Sequence, residues 1–411
     1  MTSVGAFSGA RTSAAYYTAA LVGAEVVVQG LALVDRDVHR WVPAAQLVLY
    51  LLGLIASVAF WTAYRPRATP PRLFRWFLLL VALMWVVEIG RRLATGADPS
   101  ILWVAPPLLL FMLWTKPPDS QGARQTANSV AWIFIGAVLV SVPLESAGVF
   151  SSWYEVYEAA ASRPSEDRAA YWLPLASVLG LEGRWAGPFF HPNHAGPVGA
   201  FLVVLGLCRA GYLRWVALAT GLGVLLLTAS RTSLLATVVG CAAVAAAWWL
   251  TRESRWPVWV KPIIVAVPVV ALALVVIGDN WGFTGRTVIW PVYASLWQES
   301  PLIGIPDSRI AEAMATGALP GWAATAHNLL LDSLVRFGIA GTLVAVAVLV
   351  VAATLAVRAA TRGAFLSLGL VAVILTCGIT EALLFWRALA TSTIILMVAV
   401  IASLEEPDDS T

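Results

Sequence analysis

Four stretches of this 411-residue chain concentrate polar chemistry in otherwise apolar sequence. They are "GRWAGPFFHPNHAGP" (183–197) with Arg184, "TASRTSL" (228–234) with Arg231, "GFTGRTVIW" (282–290) with Arg286, and "TAHNLLLDSLVRFG" (325–338) with His327. A guanidinium is a planar fork that meets phosphate oxygens two at a time, so fixed arginines are candidate anion ligands. An imidazole held neutral near pH 7 is a candidate general base.

Plainer readings stand beside these. Snorkelling to lipid headgroups would account for Arg231, and solvation in a loop would account for Arg286. The context of Arg286 favours chemistry. Gly282 and Gly285 permit close backbone approach to a ligand, and Trp290, one helical turn on, can shield a phosphate or stack a sugar. His327 precedes an apolar run whose positive helix end disfavours the imidazolium and so keeps the ring neutral. Asn328, Asp332 and Arg336 follow at i, i+4 and i+8 as one polar stripe. The stripe is expected to wall a hydrophilic cavity beneath His327; an Asp332–Arg336 pair buried for structure is the alternative. Prolines 188, 192 and 197 with glycines 183, 187 and 196 forbid a regular helix, so a stiff irregular segment should carry Arg184 and Asn193 to the cavity. His191 and His194 take no role in this scheme. Their His-x-x-His spacing lacks a nearby third ligand, so no metal site and no cofactor are expected.

Composition says what scaffold must position these residues. Hydrophobic residues make up 60% of the chain and charged residues 12%, with a mean hydropathy of +0.81. Such a chain is an integral membrane protein, and a nucleic-acid-binding role has no support. Apolar runs long enough to cross a ~30 Å hydrocarbon layer recur throughout. About twelve are expected, at 14–34, 41–62, 72–92, 100–115, 127–148, 194–209, 212–229, 231–250, 260–278, 328–357, 363–380 and 384–403. The fold class is therefore all-α: one polytopic membrane domain over 1–411, with two larger extracytoplasmic loops at 149–193 and 279–327. Aromatic and acidic residues in 150–182 suggest short helices lying on the outer interface.

Orientation follows from the basic turns. "YRPRATPPRLFR" (64–75), "KPPDSQGAR" (116–124), "RAGYLR" (209–214), "TRESRWPVWVK" (251–261) and "RAATR" (358–362) all fall on one side, which the positive-inside rule makes cytoplasmic. Both termini are expected there, and the four polar stretches on the opposite face. Glu25 interrupts the first apolar run, so the N-terminus does not read as a cleavable signal. Cys208, Cys241 and Cys377 lie in or beside spans without metal-ligand spacing and read as packing residues.

In order and placement, "GRWAGPFFHPN", "SRT", "GRTVIW" and "HNLLLDSLVRFGIAG" resemble the O-antigen ligase and polymerase family of bacterial membrane glycosyltransferases. The resemblance covers most of 180–345. It implies a metal-independent enzyme of the bacterial plasma membrane that moves a glycan from a polyprenyl pyrophosphate carrier to an acceptor hydroxyl on the outer face. It further implies that Arg184, Arg231 and Arg286 serve the pyrophosphate and that His327 is the catalytic base. The expected partners are the lipid-linked glycan donor, a glycan, lipid or polymer acceptor, and membrane lipids. Arginines can stabilise charge growing on a departing pyrophosphate, and in-line attack inverts the anomeric configuration. A polytopic transporter or lipid-linked glycan flippase is the alternative. It should place its polar residues near the midplane of two matching halves, whereas here they gather at one boundary. Ligase and polymerase chemistry differ in the acceptor: a lipid core, protein or wall polymer for the one, another lipid-linked glycan for the other.

Overall fold

The computed structural model describes residues 13–31, 42–64, 69–94, 101–147, 185–189, 191–252, 286–321, 323–382, 384 and 389–406. Regular structure among the described residues is helical throughout, as befits backbone that has no water to satisfy its N–H and C=O groups. The helices are α1 (Ser13–Leu31), α2 (Val42–Ala63), α3 (Arg72–Ala94), α4 (Ala105–Thr115), α5 (Ser120–Ser146), α6 (Pro192–Cys208), α7 (Tyr212–Thr228) and α8 (Arg231–Arg252), then α9 (Arg286–Glu299), α10 (Asp307–Ala315), α11 (Leu329–Ala360), α12 (Leu366–Thr380) and α13 (Thr391–Ala402). Six of them, α1, α2, α3, α5, α8 and α11, are long and apolar enough to cross a membrane; α4, α6, α7, α12 and α13 are apolar but shorter. Each of these eleven falls on one of the expected runs. The remaining run, 260–278, lies outside the described residues, as do 149–184 of the first outer loop and 279–285 of the second.

Two ends of the bundle differ in chemistry. At one, Arg209 after α6 meets Glu405 after α13 through paired bonds of 2.7 and 2.8 Å and reaches Asn128 of α5 at 2.8 Å. Arg362, before α12, donates to the Ser403 carbonyl at 2.9 Å. At the other end lie the start of α6, the start of α11 and the end of α12. The shorter helices explain how polar chemistry fits there. With 17 residues in α6 and 15 in α12, they rise only about 25 and 22 Å. That is less than a ~30 Å hydrocarbon layer, and irregular backbone at such depth is tolerated only where protein covers it or it lines water. Close packing of these helices relies on small residues: a side chain on Gly199 of α6 would meet the Gly221 carbonyl of α7 at 2.9 Å.

The run expected as one span at 328–357 is broken. Gly338 has φ 62° and ψ −169°, dividing α11 in two. Residues 301–305 lie in the break and satisfy the freed backbone: Ile305 N–H donates to Val335 O at 2.8 Å, Ile339 N–H to Pro301 O at 2.8 Å, and Ala340 N–H to Leu302 O at 3.2 Å. The helix from Ile339 to Ala360 is about 33 Å long, enough by itself to cross a hydrocarbon layer. Asp332 and Arg336 therefore precede the crossing part of α11 rather than forming a stripe that runs down it. The described part of the second outer loop is also more ordered than a loop. α9 and α10 enclose their own apolar core of Ile289, Tyr293, Leu296, Ile305, Ile310 and Leu319, closed by Val335 of α11.

Candidate active site

Glu381 ends α12 and is 4% exposed. Its carboxylate is shared among three partners from distant parts of the chain. Oε1 accepts from Asn193 Nδ2 at 2.6 Å and from Nη2 of the Arg286 guanidinium, while Oε2 lies 3.1 Å from His327 Nδ1. A carboxylate buried to this degree is costly unless paired and hydrogen-bonded, and here both oxygens are engaged. The pairing also sets the chemistry of the imidazole. When the neutral ring donates Nδ1–H to the carboxylate, Nε2 carries the lone pair and is the atom that can take a proton.

The backbone holds His327 in an unusual state. Its φ is 47°, and Ala229, with φ 45°, is the other non-glycine residue in the left-handed region among the described residues. Such conformations cost about 1–3 kcal/mol and persist where the surroundings impose them. Both occur beside the candidate site: Ala229 caps α7 two residues before Arg231. Asn328 does the imposing at His327. Its Oδ1 accepts from Leu331 N–H at 2.9 Å, capping α11, while its Nδ2 donates to Ile379 O at 2.8 Å. That pins the start of α11 to the end of α12 and sets His327 beside Glu381.

A second layer fixes the segment leading into His327. Trp290 Nε1 donates to Ala326 O at 2.9 Å, and the Tyr293 hydroxyl donates to Ala323 O at 2.7 Å. Asp332 Oδ1 accepts from Ala326 N–H at 3.0 Å, and Arg336 Nη2 donates to Ala324 O at 2.6 Å. Asp332 and Arg336 also pair with each other at 2.9 Å. The polar stripe read from the sequence is thus engaged by the loop's own backbone; Asp332 and Arg336 brace the loop rather than line open space. Arg336 continues to Asp307 of α10, which Arg91 and Arg92 of α3 reach at 3.2 and 3.1 Å. Burial works to raise the Asp307 pKa, but the guanidinium groups of Arg336, Arg91 and Arg92 prevail and hold it below the usual carboxylate range. Burial pushes the Tyr293 phenol up, so it remains a neutral donor.

Arg231 is exposed at the start of α8 and makes no ion pair among the described residues. Its neighbour Thr232 bonds the Thr380 hydroxyl at 2.7 Å, one residue from Glu381. Arg184 lies outside the described residues. Trp185, which follows it, donates its N–H to Leu227 O at 3.0 Å, near the end of α7. His191 caps α6, its Nδ1 accepting from Asn193 N–H at 3.0 Å, with its ring 5.6 Å from that of His194. Among the described residues no group of three or more His, Cys, Asp or Glu side chains is placed to hold a metal.

The structure therefore brings Arg286, His327 and Asn193 together at one carboxylate, with Arg231 at the neighbouring helix start. Sequence reasoning overlooked that carboxylate. Its signal is the lone acid in "GITEALLFWRA" (378–388), between the last two apolar runs and on the face of the four polar stretches.

Fold and site together define a multi-pass helical membrane protein in which a part-buried histidine pairs with a buried glutamate at one end of the bundle. Residues 216–346 match the family model described as O-antigen ligase, and the resemblance carried by the motifs is shown over that segment. The matched residues include Arg231, Arg286, Trp290, His327, Asn328, Asp332 and Arg336, whereas Arg184, Asn193 and Glu381 lie outside it. Comparison with curated proteins returns no match. The matched segment is less than half of the chain.

Proposed function

We propose that this protein transfers a glycan from a polyprenyl pyrophosphate carrier to an acceptor hydroxyl at the extracytoplasmic face of a bacterial plasma membrane. The observation that carries the reading is the Glu381 carboxylate, which sets His327 and Arg286 side by side from separate parts of the matched segment.

In this reading His327 Nε2 accepts the proton of the attacking hydroxyl, and Glu381 stabilises the imidazolium that results. The hydroxyl oxygen bonds to the anomeric carbon as the bond from that carbon to the pyrophosphate oxygen breaks. The electron pair leaves with the lipid pyrophosphate, and attack from the opposite side inverts the configuration. A guanidinium has five N–H donors, so the bond from Arg286 to Glu381 leaves others to face a phosphate. Arg231 adds positive charge from the start of α8, and Arg184 is given the same role by its motif. These fixed charges stabilise the leaving group without a metal ion.

The test is transfer in proteoliposomes supplied with a polyprenyl-pyrophosphate glycan and an acceptor. His327→Ala should lower the rate by roughly 10²–10⁴-fold, and the product should carry the inverted linkage by NMR. Full activity in that variant, or a retained linkage, would overturn the mechanism. Deleting the gene separates the two acceptor classes. Loss of long surface chains with single units still attached indicates a polymerase; glycans stranded on the carrier indicate a ligase.

A further inference from the structure

The opposite end of the bundle carries a second polar site, independent of the catalytic reading. α3 starts where α11 ends, and a groove of about 710 Å³ opens between them and the end of α13. Arg72, Arg358 and Arg362 line it together with Trp76, Leu355 and Leu404, and no carboxylate is among its lining residues. All three arginines are exposed. Arg72 and Arg358 make no ion pair among the described residues, and Arg362 spends one donor on the Ser403 carbonyl at 2.9 Å. Nearby Arg209 differs, because Glu405 neutralises it within the fold. Among the described residues the groove thus holds three positive charges with no carboxylate lining it.

We propose that this groove binds the phosphate of an anionic glycerophospholipid. Two further observations select a lipid over a free anion. Aromatic and basic side chains at this level form the belt expected at a headgroup region: Lys116 lies 4.4 Å from the Trp61 ring, Arg75 lies 5.9 Å from that of Trp114, and Trp76 is 48% exposed. From Trp76 an exposed apolar stripe continues along α3 through Leu79, Leu83 and Val86. It offers acyl chains a track directly below a headgroup seated on the arginines. Basic pockets between spanning helices are a recurrent way of holding anionic headgroups.

Native mass spectrometry of the full chain in neutral detergent tests the assignment, with phosphatidylglycerol, phosphatidylcholine and inorganic phosphate as probes. Phosphatidylglycerol should be retained over phosphatidylcholine. Arg72→Gln with Arg358→Gln should lower its affinity roughly 30-fold, and lysine at the same two positions should restore it. Both residues are exposed, so the double variant should fold, which a wild-type thermal midpoint without added lipid would verify. Equal binding of the two lipids, retention of phosphatidylglycerol by the glutamine variant, or its complete displacement by millimolar inorganic phosphate would each overturn the proposal.

Discussion

Glu381 Oε2 stands 3.1 Å from His327 Nδ1 across 54 residues of sequence, and the other oxygen of the same carboxylate holds Arg286 across 95. One acidic side chain thereby sets the direction of the imidazole and the placement of the nearest guanidinium. Both depend on its charge as well as its shape.

Glu381→Gln separates charge from shape. The amide keeps the volume and an acceptor for Nδ1–H, but it no longer stabilises a developing imidazolium or balances Arg286. Transfer should fall at least tenfold while the protein stays folded. Glu381→Ala should in addition lower stability by about 3–5 kcal/mol, because Arg286, 9% exposed, is left as an unpaired buried charge. Transfer rates and thermal unfolding in detergent check both; a glutamine variant with the wild-type rate would show that the carboxylate does not govern the base.

Arg231→Gln should behave in the opposite way. The side chain is exposed, so stability should change by no more than about 0.5 kcal/mol. The donor KM should rise, with kcat less affected, if the guanidinium binds pyrophosphate in the ground state. An unchanged KM over a donor titration removes Arg231 from the site.

Gly338→Ala and Gly304→Ala test the break in α11. Both glycines have positive φ, 62° and 79°. A Cβ at Gly338 would meet the Leu302 carbonyl carbon at 2.2 Å, and one at Gly304 the Arg336 carbonyl at 2.4 Å. Backbone must move in either variant. With about 1–3 kcal/mol of conformational strain added, the thermal midpoint should fall clearly; wild-type midpoints would mean that residues 301–305 do not seat in the break.

Acid should weaken the contacts of α10. The folded pKa of Asp307 lies below its unfolded value, so its stabilisation is complete above the unfolded pKa of about 4 and is lost as pH falls towards the folded one. Midpoints of wild type and Asp307→Asn at pH 7, 5 and 3 should therefore differ most at pH 7 and 5 and draw closer at pH 3. Parallel curves would show that Asp307 contributes nothing to the acid limb.

Trp290→Phe removes the 2.9 Å bond to Ala326 O while keeping an aromatic ring. Stability should drop by about 0.5–1.5 kcal/mol. Transfer should slow further, because small displacements of a reacting group are costly. Equal rates for variant and wild type would separate Trp290 from the positioning of His327.

Apolar run length located eleven of the thirteen described helices, since a bilayer ties composition to segment length, and the charge of the turns marked two unlike ends. The same reading picked out Arg286 and His327 as polar residues at span boundaries, and it saw Asp332 and Arg336 because four-residue spacing is visible along one helix. The partners of these residues were another matter. Glu381 joins Asn193 across 188 residues, and Asp307 joins Arg91 across 216; no local period links such pairs. Gly338 likewise looked like an ordinary glycine in an apolar run until residues 301–305 supplied the hydrogen bonds that let the helix break there. Hydrophobic length is a property of each segment by itself, whereas the pairing of buried charges and the satisfaction of broken backbone require segments to meet, and only the packed bundle decides which ones do.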